Sequence, residues 1–133
     1  MRLLVDTGVF SAALSRNRPA DYDPLVARIA GNQLFLAPQT VAELRYGALV
    51  ARWGRPRRQR LEAAIATATV VPVSDRLVTA VADLRFASRQ AGHPLADRVH
   101  ANDLWIAACA IHIGATLLTA DRVFKNAPGL TLA

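Results

Sequence analysis

The chain has 133 residues, a mass of 14.3 kDa and 53% apolar side chains. That is enough for one domain with a substantial core and too apolar for a disordered segment. No stretch offers the roughly 18 uninterrupted apolar residues of a membrane helix. The three-residue apolar run before Asp6 is too short for a signal peptide, and the lone Cys109 excludes an internal disulfide, as suits a reducing cytoplasm. Sixteen basic residues against ten acidic ones leave +6, and fifteen of the sixteen are arginine. A GC-rich genome would account for arginine in place of lysine, but not for the positive excess, which favours a polyanionic partner such as nucleic acid.

Leu3-Leu4-Val5 reads as a buried strand that turns at Asp6-Thr7-Gly8 into a short helix over residues 9–15, broken by Asn17-Arg18-Pro19. A second helix is expected from Asp21 to Ile29, stopped by Gly31-Asn32. Leu34 to Ala37 is the next strand, ended by Pro38, and Thr40 opens a helix with Val41, Leu44 and Leu49 on one side. Trp53-Gly54-Arg55-Pro56 is a loop, and Arg57 to Ala66 another helix. Val70 to Val73 reads as a third strand, which Pro72 places at an edge. Ser74-Asp75 caps a long helix running to about Gln90 and stopped by Gly92. Residues 101–113 form a helix apolar nearly all round, so it should be buried on several sides. Gly114 ends it, Thr116 to Leu118 is a fourth strand, and Leu130 to Leu132 adds a last short one. Strands alternating with helices imply a single three-layer α/β/α domain over residues 1–133 with a mainly parallel sheet of four to five strands.

Four acids fall at comparable points of that layout. Asp6 ends the first strand and Asp121 follows the fourth. Glu43 lies one turn into the helix after the second strand, and Asp103 in the first turn of the buried helix before the fourth. In a parallel sheet, ligands bind beyond the carboxyl ends of the strands, and all four side chains can face that edge. Each acid also has a local reading. Thr40 to Glu43 is a capping box, Asn102 can be an N-cap with Asp103 complementing the helix dipole, and Asp6 and Asp121 can cap the helices after them. Together they are harder to explain so: two unit charges at ~4 Å repel by about 4 kcal/mol at an effective dielectric near 20. A convergent set calls for a cation, and oxygen donors without cysteine or spaced histidines point to Mg²⁺ or Mn²⁺.

In order along the chain stand Leu-Val-Asp6-Thr7, Glu43-Leu44 followed by Gly47, Asn102-Asp103-Leu104-Trp105-Ile106-Ala107-Ala108, and Leu118-Thr119-Ala120-Asp121. The ordered set resembles the PIN-domain family, and within it the VapC-type toxins of bacterial toxin–antitoxin pairs. The resemblance implies a PIN-like fold and an Mg²⁺-dependent endoribonuclease, with Asp6 and Asp103 as principal metal ligands and Glu43 and Asp121 completing the site directly or through water. It implies supporting roles for Thr7, Asn102 and Thr119, with Asn102 orienting Asp103. It also implies a cognate antitoxin protein as partner and a homodimer. RNA would approach over Arg52, Arg55, Arg57, Arg58 and Arg60, with Trp53 as a possible stacking surface. Asp97 is left outside the site, and Asp21, Asp23, Glu62, Asp75 and Asp83 read as solvated or capping acids. Trp105 and Cys109 read as core.

The rival readings are a receiver-like Mg²⁺-binding module and a non-catalytic RNA-binding or assembly protein. The first needs a lysine late in the chain near the acids; the single lysine, Lys125, follows no predicted strand. No glycine-rich phosphate loop is present.

Overall fold

Leu3, Leu4 and Val5, all inaccessible to solvent, form the middle of a sheet whose two faces are both covered by helices. The structure, a computed structural model, describes all of residues 1–133. Its four strands are β1 (Arg2–Val5), β2 (Gln33–Leu36), β3 (Thr69–Val70) and β4 (Thr116–Leu118), in the spatial order β3-β2-β1-β4 and all parallel. The six α-helices are α1 (Thr7–Leu14), α2 (Asp23–Ala27), α3 (Pro38–Val50), α4 (Arg55–Ile65), α5 (Asp75–Gln90) and α6 (Ala101–Ile113). The three-layer α/β/α expectation holds, and no helix is long and apolar enough to cross a membrane.

The register explains the two faces. Leu4 lies opposite Phe35 on one side and Leu117 on the other, and these three pack with α5 and α6. Leu3, Val5, Leu36 and Leu118, one residue out of phase, pack with α1, α3 and α4. A strand buried on both faces has no polar side, so its run is continuously apolar. α6 lies between sheet and α5, and Leu104 and Ile106 to Ala110 are all buried there. Cys109 is fully buried and its thiol is pushed up to about 12 by desolvation, which makes it a core residue.

Several boundaries differ from the sequence reading. The helix expected over 21–29 is a 3-10 turn (Ala20–Tyr22) followed by the five-residue α2. α3 begins at Pro38, with Ala37 at the cap position, so Thr40 is inside the helix and Thr40 to Glu43 is not a capping box. Pro38 supplies the preset φ that a first helical residue needs, which moves the start forward. β3 is two residues long and at the sheet edge; Val71 N–H still reaches Leu36 O at 2.9 Å before Pro72 ends the ladder. The last strand reduces to one parallel bridge, Leu117 with Leu132.

Candidate active site

β1 has β2 on one side and β4 on the other, so the chain's direction of travel across the sheet reverses there, and the crevice beyond β1 and β4 is the expected ligand site. Asp6 stands at its floor. The Asp6 N–H donates to Leu118 O at 3.1 Å, which carries the β1–β4 pairing one residue past the strands. Its Oδ1 accepts from Val9 N–H at 2.9 Å, and its Oδ2 accepts the Thr119 hydroxyl. Asp6 is therefore the N-cap of α1 and a buried carboxylate of the crevice at once, 7% exposed.

The other three acids line the same cleft of about 330 Å³, together with Thr7, Gly8, Tyr22, Ile106, Ala120 and Phe124. Glu43 projects from the second turn of α3 and accepts from Thr7 Oγ1 at 3.3 Å; the Thr7 hydroxyl also pairs with that of fully buried Thr40 at 3.1 Å. This is the role Thr40 has in place of capping. Asp121 accepts from Val123 N–H at 3.0 Å and caps the 3-10 turn Arg122–Phe124, while its own N–H donates to Thr119 Oγ1 at 3.0 Å. Asp103 sits in the first turn of α6, where Oδ2 lies 3.2 Å from His100 Nδ1. The N-cap position of α6 is His100, not Asn102, which is exposed inside the helix and makes no side-chain hydrogen bond. The residue that holds Asp103 is thus His100, a role signalled in the sequence only by its three-residue spacing to Asp103 across a helix start.

No arginine or lysine is among the cleft-lining residues, and Lys125 lies outside it. The Asp6 carboxyl holds its proton above the usual carboxylate range. Burial is the main cause, opposed by the Thr119 and Val9 hydrogen bonds and reinforced by the charges of Asp121 and Asp103. Glu43 is shifted upward too, by desolvation first and then by Asp103 and Asp6, against the Thr7 hydrogen bond. The set is all oxygen and net negative. No three acidic, histidine or cysteine side chains converge tightly enough to cage an ion unaided. That donor set fits Mg²⁺, which keeps several waters and takes one or two carboxylates, better than a dehydrated ion in a closed cage.

The arginines predicted for RNA lie elsewhere. Arg55 and Arg58 line a separate groove of about 510 Å³ with Arg45, Leu49, Leu61 and Glu62. The Arg57 guanidinium covers the Trp53 ring at 4.0 Å, and Trp53 packs against the core, so a face of the ring offered for stacking is already taken. Arg52 is exposed, with a left-handed φ of 54°. Asp97, Asp21, Asp75 and Asp83 are exposed, and Asp23 and Glu62 pair with Arg18 and Arg45.

The class is therefore a parallel α/β domain with an all-acidic cleft at the carboxyl edge of its sheet, built from side chains distant in sequence. The PIN domain family model matches residues 3–130, and the chain belongs to that family. It is 34% identical over 128 residues to ribonuclease VapC5 of Mycobacterium tuberculosis, covering 95% of this chain and 87% of the relative. The solved structure of VapBC2 from Rickettsia felis, bound to a DNA fragment from its promoter, superposes with a TM-score of 0.79 at 25% identity, covering 100% and 98% of the two chains. VapBC-5 of Mycobacterium tuberculosis, a member of the VapBC family of toxin–antitoxin systems, gives a TM-score of 0.67 at 29% identity, covering 98% and 96%. The family match sets the receiver reading aside.

Proposed function

We propose that this chain is a metal-dependent endoribonuclease that serves as the toxin of a toxin–antitoxin pair, working in the cytoplasm on cellular RNA. The observation that carries the reading is the gathering of Asp6, Glu43, Asp103 and Asp121 around one cleft without a basic side chain. Such a set is costly unless a cation joins it. Asp6 and Asp103 would hold Mg²⁺ or Mn²⁺, with Glu43 and Asp121 contributing directly or through water. When bound, the ion would lower the pKa of water and offset charge on the phosphate oxygens.

The protein's own groups then have defined tasks. The Thr119 hydroxyl and the Val9 N–H fix both oxygens of Asp6. His100 orients Asp103, and the buried Thr40 hydroxyl sets Thr7, which steers Glu43. Glu43, with its raised proton affinity, accepts a proton at its carboxylate from the attacking water. As that water bonds to phosphorus, the bond from phosphorus to the 3′ oxygen breaks and the 3′ oxygen takes a proton from solvent. Products with a 5′-phosphate and a 3′-hydroxyl follow, because the nucleophile is water and not the RNA 2′-hydroxyl.

The antitoxin reading draws support from the relatives' names, and both it and the homodimer reading from exposed apolar side chains, among them Tyr46, Leu49 and Val50 on α3 and Phe86 on α5. The deciding experiment is sequencing of 5′-monophosphate RNA ends after induction of the chain beside an Asp6→Asn control. New ends from the wild type alone are the expected outcome; identical patterns, or cyclic phosphate products, would overturn the mechanism.

A further inference from the structure

A phosphate entering this cleft meets four carboxylates, and it needs hydrogen-bond donors besides a metal ion. The lining side chains that can donate are few. The Thr7 hydroxyl faces Thr40 and Glu43, and the Thr119 hydroxyl faces Asp6. The amides of Val9, Asp121 and Val123 are engaged with Asp6, Thr119 and Asp121. The remaining side-chain donor is Tyr22, which lines the cleft and whose hydroxyl has no hydrogen-bond partner on the protein.

Its position is well determined by local structure. Tyr22 closes the 3-10 turn Ala20–Tyr22, its N–H donating to Pro19 O at 3.0 Å, and its half-buried ring packs against the core cluster to which α1 and α3 contribute. A methyl group on Gly8 would stand 3.6 Å from Tyr22 Oη and 3.8 Å from Asp6 Oδ1. The phenol and the buried carboxylate therefore border the same small space above Gly8, which the missing side chain keeps open.

We propose that Tyr22 is a substrate-contacting residue, its hydroxyl donating a hydrogen bond to a phosphate oxygen of RNA in the cleft, with Gly8 keeping the room for that oxygen. The inference deepens the ribonuclease reading and rests on it. A hydrogen bond to a charged acceptor is worth about 10- to 100-fold in binding.

The test compares wild type, Tyr22→Phe, Tyr22→Ala and Gly8→Ala, with Asp6→Asn as the inactive control. Affinity for a fluorescein-labelled mixed-sequence RNA is read by anisotropy in Ca²⁺, cleavage under single turnover in Mg²⁺, Mn²⁺ binding without RNA by calorimetry, and folding by thermal midpoint. Tyr22→Phe should keep its midpoint and Mn²⁺ affinity while losing about 10- to 100-fold in RNA affinity and cleavage. Gly8→Ala should lose part of both without losing stability, since alanine is the better helix residue. A Tyr22→Phe protein equal to wild type overturns the proposal; if Tyr22→Ala alone is impaired, the ring and not the hydroxyl matters. A parallel fall in Mn²⁺ affinity would also overturn it, by making the hydroxyl a prop for the acids. A wild type that binds RNA more tightly than Tyr22→Phe but never cuts it leaves the contact standing and removes the nuclease reading. A wild type that does neither removes both.

Discussion

The cleft beyond β1 and β4 and the groove between α3 and α4 each contain four charged side chains, arranged in opposite ways. In the cleft all four are acids, one of them buried, and two are driven toward their protonated forms by burial and by each other. In the groove Arg45 and Glu62 form a two-point pair at 3.1 and 2.7 Å, beside Arg55 and Arg58, and every one is solvated. The hydrogen bonds between them, and then their opposite charges, raise the Arg45 and lower the Glu62 pKa, but solvent screening leaves such a pair worth little. Gathering acids without a basic side chain among the lining residues costs stability, and on the proposed reading the cleft trades that stability for a cation.

The largest effect is expected at Asp6. Asp6→Asn should lower RNA cleavage by at least about 10²- to 10³-fold. In EDTA at pH 7 the same substitution should raise stability by an amount on the order of 1 kcal/mol, because a buried charge is removed while Val9 N–H keeps an acceptor. A lower thermal midpoint for this variant would mean that the acid is stabilising after all. Next in size is the ion itself. Mg²⁺ at about 100 times its Kd should add about 2.7 kcal/mol to the wild type and almost nothing to Asp6→Asn, read as a shift in melting midpoint.

The pH dependence sharpens the same contrast. Asp6 and Glu43 bind protons more tightly folded than unfolded, so their contribution to metal-free stability is complete below the ordinary values of 3.8 and 4.5. It is lost as pH rises through the raised folded values. Glu62 runs the other way: its stabilisation is present above 4.5 and lost as pH falls through its lowered value. Subtracting the pH–stability curve of Asp6→Asn from that of wild type isolates the cleft, and a difference that grows with pH would contradict the assignment. A support of Asp103 comes next. His100→Ala should weaken Mn²⁺ binding by about 10-fold or somewhat more, and His100→Asn, which restores a donor near Nδ1, should recover most of it. Smallest of all, Arg45→Ala should change stability by less than about 1 kcal/mol in chemical denaturation, and less still in high salt.

Much of this architecture is legible along the chain. Continuous apolar runs at Leu3 to Val5 and Thr116 to Leu118 mark strands covered on both faces, and the residue after each run falls at the carboxyl edge whatever surrounds it. Asp6 is therefore readable from position alone and Asp121 lies three residues past its run, whereas Asp103, at a helix start, needs the order of the whole set. Glu43 was harder, because Thr40 to Glu43 imitates a capping box; Pro38 starts the helix earlier, and Thr40 turns inward to Thr7. The five-residue α2 and the two-residue β3 are shorter than their apolar patterns suggest, since neither forms without the packing that trims it.

The layer arrangement, the parallel sheet and the chain positions of the four acids that line one cleft are encoded locally, in strand and helix periods and short connections. The neighbours of those acids come from long-range docking. That His100 rather than Asn102 holds Asp103, that Arg57 covers Trp53, and that Tyr22 stands with a free hydroxyl above Gly8 depend on where elements dock. Side-chain contacts across elements follow from packing of the whole core, which no local pattern encodes.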